Sequence, residues 1–148
     1  MQEVKISIKK SEVFDEAAKT TAYTGKKAEA EGAFARAFAT EADYEMLERF
    51  WNEGKVVLCG ALKQHIASES ATDEPYEVIL SLSNRYDTTI NASLNKSAFT
   101  FFVLTLCSKW FGLYDPAERD RYAAEAVGYL EDVKRKVVYK TKPTRPTY

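Results

Sequence analysis

The chain has 148 residues, of which 45% are hydrophobic, 29% charged and 13% aromatic. That is the profile of one folded domain with a packed core, and it excludes a chain disordered throughout. The formal net charge is -1, so no field of one sign covers the molecule to mark a nucleic-acid or membrane binder.

Residues 3–9, EVKISIK, alternate, with Val4, Ile6 and Ile8 on one side and Lys5, Ser7 and Lys9 on the other, which predicts a half-buried strand. Ser11 is placed to cap a short helix with Val13, Phe14, Ala17 and Ala18 on its apolar side, and Gly25 to end it. Residues 26–39 are small and alanine-rich and predict a loop leading into a short helix with Phe34 and Phe38. Thr40 to Asp43 resembles a capping box, and a long helix is expected from there to about Ser68. Its stripe is Tyr44, Leu47, Trp51, Leu58, Leu62 and Ile66, interrupted by Lys55. Gly54 and Gly60 lie inside it, each costing about 1 kcal/mol against alanine, so close packing or a bend is expected there.

Residues 68–75, SESATDEP, are turn chemistry, and residues 76–83, YEVILSLS, alternate as a second strand. A lone strand leaves its backbone groups unpaired, so the two strands are expected to pair. Asp87 is placed to cap a helix reaching about Leu113, whose second half, FTFFVLTLCSKWFG, is apolar nearly all round. Such a helix is central in a bundle or shared with a neighbouring subunit. Phe99, Phe102, Trp110 and Phe111 are the residues expected at an oligomer interface. Asp115-Pro116-Ala117-Glu118 starts a last helix with Tyr122, Ala126, Tyr129, Leu130, Val133 and Val137 on one stripe, and Lys134, Arg135 and Lys136 suit its negative end. Pro143 and Pro146 then set an extended arm ending in Tyr148.

The fold class expected is α+β, predominantly α: a bundle of three long and one or two short helices with a small two-stranded sheet from residues 3–9 and 76–83. Residues 1–139 form one domain and residues 140–148 a basic arm.

The equipment for chemistry is thin. His65 is the only histidine, one helical turn before Glu69, with no nucleophile placed beside it. Glu41, Glu45 and Glu48 share a helix face, but a di-iron bundle needs Glu-x-x-His from two helices, and Leu62 stands three before His65. Thr24-Gly25-Lys26-Lys27 lacks the earlier glycine and the following hydroxyl of a phosphate loop. Ser93-Leu94-Asn95-Lys96 and Ser7-Ile8-Lys9-Lys10 both match S-x-x-K without its partner motifs. Trp51, Trp110 and the phenylalanines sit in apolar runs, where packing is a better account than base stacking. Cys59 and Cys107 are expected as reduced thiols. The N-terminal MQEVKISIKK holds no signal-like apolar run, and the stretch Ala98–Cys107 is half the roughly 20 residues a membrane helix needs. No catalytic residue, cofactor, metal site or membrane contact is expected.

The near-neutral total conceals a split. Residues 1–132 carry a net -7, and residues 133–148 carry Lys134, Arg135, Lys136, Lys140, Lys142 and Arg145 with no acid. These six and Tyr148 are the expected partner-binding residues, with an acidic protein surface as one target and non-specific DNA as another; the plainer reading is dipole-matched helix termination followed by a soluble tail.

The helical body with its extended basic arm resembles the small structural proteins of tailed-phage particles, especially head–tail connector or adaptor proteins. The stretches KISIKKSEVFDE, TEADYEMLERFW, KWFGLY and EDVKRKVVYKTKPTR carry the likeness; the strand pair is a departure from many helical connectors. The resemblance implies a non-enzymatic virion protein made in the bacterial host cytoplasm. It also implies a ring of copies and an arm docked on a neighbouring virion protein such as a portal or tail component. The alternative is a small helical binding module for nucleic acid or a host protein, and a third reading is an enzyme built on His65.

Overall fold

The computed structural model describes residues 1–27 and 41–141. The alanine-rich stretch, Thr40 of the expected capping box, and Lys142, Arg145 and Tyr148 of the expected arm lie outside the described residues.

The elements run β1 (Gln2–Ile8), α1 (Lys10–Lys27), α2 (Glu41–Ala61), β2 (Ile66–Glu69), β3 (Tyr76–Leu82), a 3-10 turn (Thr88–Ile90), α3 (Asn91–Phe111) and α4 (Pro116–Lys136). The fold is α+β, predominantly α. Its helices pack on one face of a small antiparallel sheet. The two expected strands pair over their full length, from Gln2 opposite Leu82 to Ile8 opposite Tyr76. Val4, Ile6, Ile8, Tyr76, Val78, Leu80 and Leu82 are all buried, as period-two alternation over a one-sided core requires.

The sheet has a third strand that the sequence reading missed. The order is β1-β3-β2, and β2 takes up the expected end of the long helix, Ile66 to Ser68, and Glu69 of the expected turn. That helix ends at Ala61, just after Gly60, and Leu62 to His65 form a turn closed by His65 N–H donating to Leu62 O at 2.8 Å. Leu58, Leu62 and Ile66 keep a four-residue spacing through the break, which is why the stripe looked continuous.

The start of α1 also differs from expectation. Lys10 N–H donates to Asp73 O at 3.0 Å, and Ser11 N–H donates to Glu74 Oε1 at 2.6 Å. The first turn is therefore capped by the 70–75 loop and not by the Ser11 side chain. The helix continues past Gly25 to Lys27.

α3 is the central element, touching α1, α2, α4 and β1. This explains its all-round apolar composition and corrects the interface expectation. Phe102 and Phe111 are buried in the chain's own core and Trp110 is 9% exposed, while Phe99 is only partly buried against that core. Three of the four residues therefore spend their surface inside the chain. Trp51 is wholly buried, with its ring 4.5 Å from Phe102 and 5.8 Å from Tyr76. Gly54 allows α2 to approach this closely: a Cβ there would lie 3.0 Å from two ring carbons of Phe102. Tyr44 and Tyr129, placed on apolar stripes by sequence, are instead 53% and 40% exposed.

Asp87 caps the 3-10 turn and not α3 itself, accepting from Thr89 N–H at 3.0 Å. Asp115 caps α4, accepting from Glu118 N–H with Pro116 in the first turn, as read from sequence.

Candidate functional site

Lys55, which interrupts the apolar stripe of α2, opens the first polar cluster. Its ammonium bonds Asp73 at 3.1 Å and lies 5.1 Å from the Tyr76 ring centroid. Lys10 pairs with Glu48 and reaches Asp73 at 3.7 Å. Burial works to raise the Asp73 pKa, but the Trp51 indole, Lys55 and Lys10 outweigh it and hold the carboxyl below its ordinary value. Trp51 Nε1 is itself buried without a hydrogen-bond partner among the described residues. Its N–H thus acts on Asp73 as a nearby dipole, short of a hydrogen bond.

The same cluster holds a thiol and a phenol. Tyr76 Oη donates to Glu69 Oε1 at 2.6 Å, so the Cys59 thiol, 3.2 Å away, is left to donate to Tyr76 Oη. Burial pushes the Cys59 thiol up and the Tyr76 phenol well up. Both are held in their neutral forms, which disfavours a nucleophile here. The arrangement ties β2 and β3 to α2.

His65 stands in the turn before β2 and not on a helix, so the expected pairing with Glu69 by helical spacing is lost; Glu69 serves Tyr76 instead. Glu48 of the α2 carboxylates is taken by Lys10. Both cysteines are free thiols, with Cys107 buried and its pKa pushed up to about 12 by desolvation. Among the described residues no cluster of histidine, cysteine and carboxylates could hold a metal ion, and no helix is long and apolar enough to cross a membrane.

The basic end is more tightly organised than its charge count suggests. Lys134 pairs with Glu131 at 3.3 Å, and Arg135 pairs with Asp132. Lys136 bonds Asp132 at 2.6 Å, Ser93 Oγ at 2.6 Å and Ser97 Oγ at 2.8 Å, with its side chain only 15% exposed. Ser97 Oγ also donates to Asp132 at 2.6 Å. Burial opposes the Asp132 charge, but Lys136 and Ser97 prevail and hold its pKa low. Three of the seven expected partner-binding residues therefore complete the end of α4, and Lys136 pins it to α3.

Beyond α4 the chain is stitched to the loop after β3. Val137 is buried, Asp87 N–H donates to Tyr139 O at 3.3 Å, and Tyr86 pairs with Lys140 in an antiparallel bridge. Thr141 N–H donates to Arg85 O at 2.9 Å, and Arg85 Nη2 donates to Thr141 O at 3.0 Å. From the other end of the chain, Gln2 Nε2 donates to Ser83 O and Tyr86 O at 3.0 and 3.1 Å. Residues 83–87 are thus the shared anchor of both ends of the described chain. Lys140 has no carboxylate partner among the described residues.

Asp132 could have been found from sequence, three and four residues before Arg135 and Lys136 on a helix. Ser97, Glu69 and the 83–87 anchor depend on contacts between elements and carry no local signal.

A scan against protein-family models, a search of curated proteins and a search of solved structures each find no match.

Proposed function

We propose that the chain is a non-enzymatic structural subunit of a phage particle, a head–tail connector or adaptor that assembles with copies of itself and docks on a partner through its C-terminal arm. One observation carries the reading. Residues 139–141 are fixed to residues 85–87, so the chain is held in place up to Thr141, the residue that precedes the basic, proline-bearing sequence. An arm used for docking loses less freedom on binding when its root is already ordered. Lys140, Lys142 and Arg145 are the charges it offers, whereas Lys134, Arg135 and Lys136 serve the body.

The thiol, the phenol and the carboxylates described above are each engaged in holding elements together, which supports a structural role. For self-association the reading now favours the groove between α3 and α4 lined by Thr100, Leu104 and Tyr129, where Leu104 is partly buried and Tyr129 is 40% exposed.

The test is to purify intact particles from cells encoding the chain and ask whether it is present. A chain carrying Lys140→Glu, Lys142→Glu and Arg145→Glu should fold normally and be absent from the particles. A chain missing from all particles, and monomeric by light scattering at every concentration, defeats the proposal. The binding-module alternative predicts instead that the chain captures DNA with a steep salt dependence that this triple variant abolishes.

A further inference from the structure

The anchor region encloses a cavity of about 320 Å³ that none of the roles above uses. Leu82, Tyr86 and Val137 form its apolar floor, and all three are buried. Val138 and Tyr139 stand at its rim, 54% and 52% exposed. Among the described residues, the ionisable side chains lining it, apart from the Tyr86 and Tyr139 phenols, are His65 and Lys140. Among the described residues no carboxylate lines it. The nearest in sequence, Asp87, is turned onto the 3-10 turn, where it accepts from Thr89 N–H at 3.0 Å and Thr89 Oγ1 at 2.6 Å. The Tyr86 hydroxyl is likewise satisfied, donating to Asn91 at 2.7 Å. What remains is an apolar hollow of small-ligand size with basic groups and no resident counter-charge.

We infer that this cavity receives a large apolar or aromatic side chain of the docking partner together with an adjacent carboxylate, which His65 and Lys140 read. The inference rests on the proposed docking role, because the cavity borders the root of the arm. The apolar floor supplies contact area, and the carboxylate supplies the charge that the lining lacks. The rim residues widen the contact into a surface suited to a protein segment and not to a wholly enclosed metabolite.

The probe is phenylacetate, with phenethylamine as its cationic counterpart of matching skeleton. Amide spectra of the full chain should show saturable phenylacetate shifts at His65, residues 81–86 and residues 137–140, with phenethylamine at least tenfold weaker. Lys140→Gln should weaken phenylacetate by about fivefold, the upper range for one partly exposed ion pair, and His65→Leu, which removes a hydrogen-bond donor, by about twofold. The same spectra show whether the variants fold. No saturable shifts at the cavity, or equal binding of the amine, overturns the chemistry. The double variant, with residues 142–148 intact, should also enter particles poorly. If it enters normally while phenylacetate still binds the parent chain, the cavity serves a small molecule and the partner assignment falls. If the parent chain is missing from particles, the docking role fails, taking the partner assignment with it; the titration still decides the cavity's chemistry.

Discussion

Gly54 offers the sharpest test of how α2 meets α3. Placing a methyl group there puts its carbon 3.0 Å from Cδ1 and Cε1 of Phe102. Phe102 is fully buried, with ring centroids of Trp51 at 4.5 Å, Phe101 at 5.5 Å and Tyr76 at 6.3 Å. The ring has little room to retreat, so Gly54→Ala should carry an overpacking cost of about 1–3 kcal/mol. The gain in helix propensity returns about 1 kcal/mol. The net expectation is about 0–2 kcal/mol of destabilisation. Gly128 supplies the control: it lies mid-helix in α4, and a Cβ there meets nothing within 4 Å. Gly128→Ala should therefore gain the propensity alone, about 1 kcal/mol. The two variants should differ by about 1–3 kcal/mol in urea unfolding, with Tm moving about 2–4 °C per kcal/mol in a chain of this size. Equal stabilisation by both would refute the close contact between Gly54 and Phe102.

Three further outcomes follow from the polar contacts. Asp73 and Asp132 have folded pKa values below the ordinary range, so their contribution is complete above the unfolded carboxylate value of about 3.9 and is lost as pH falls through the lower folded values. Asp73→Asn/Asp132→Asn should flatten the fall in stability between about pH 5 and pH 2; parallel acid limbs in parent and variant count against the argument. With a thiol-reactive reagent at pH 8, Cys107 should stay silent in the folded chain and Cys59 should react slowly, while both react at once in denaturant; a fast native Cys107 contradicts its burial. Asn95→Ala removes the acceptor for Ser7 N–H and the donor to Lys5 O. It should cost about 0.5–1.5 kcal/mol and raise the tendency to associate on concentration, which light scattering would detect.

The sequence disclosed what repeats within one element. Val4, Ile6 and Ile8 showed their strand by period two, and Asp115 with Pro116 marked the start of α4 by capping chemistry. It failed where two elements share one pattern. Ile66 extended the stripe of α2 because four-residue spacing says nothing about where a helix stops, and the turn at residues 62–65 contains no glycine or proline to announce it. The candidate site was half legible for a similar reason. Lys134, Arg135 and Lys136 were found by charge, and Glu131 and Asp132, which neutralise them, lie within a turn of the same helix, but Ser93 and Ser97, which fix Lys136 in place, come over from α3. Lys55 looked like a flaw in an apolar stripe until Asp73, from a loop far along the chain, supplied its partner. The all-round apolar α3 allowed two placements, and only packing decides between centre and interface.

That decision bears on how copies could meet. An exposed strand edge is the ordinary route by which chains with small sheets associate. Here one edge is closed from within, because Asn95 of α3 bonds both the Ser7 N–H and the Lys5 carbonyl of β1. The other edge, β2, has four residues and a register shift between Ile66 and Ser68, which leaves a short and irregular template. Sheet addition is therefore disfavoured at both ends. A proposed ring must use side-chain packing, and the groove between α3 and α4 that holds Leu104 and Tyr129 shares no lining residue with the anchor cavity. Separation of that kind lets the subunit contact and the arm act without competing for the same residues. Tyr129→Asp in the α3–α4 groove should then lower the oligomer size while leaving phenylacetate binding at the anchor cavity intact. Loss of both together would mean that the two surfaces are one.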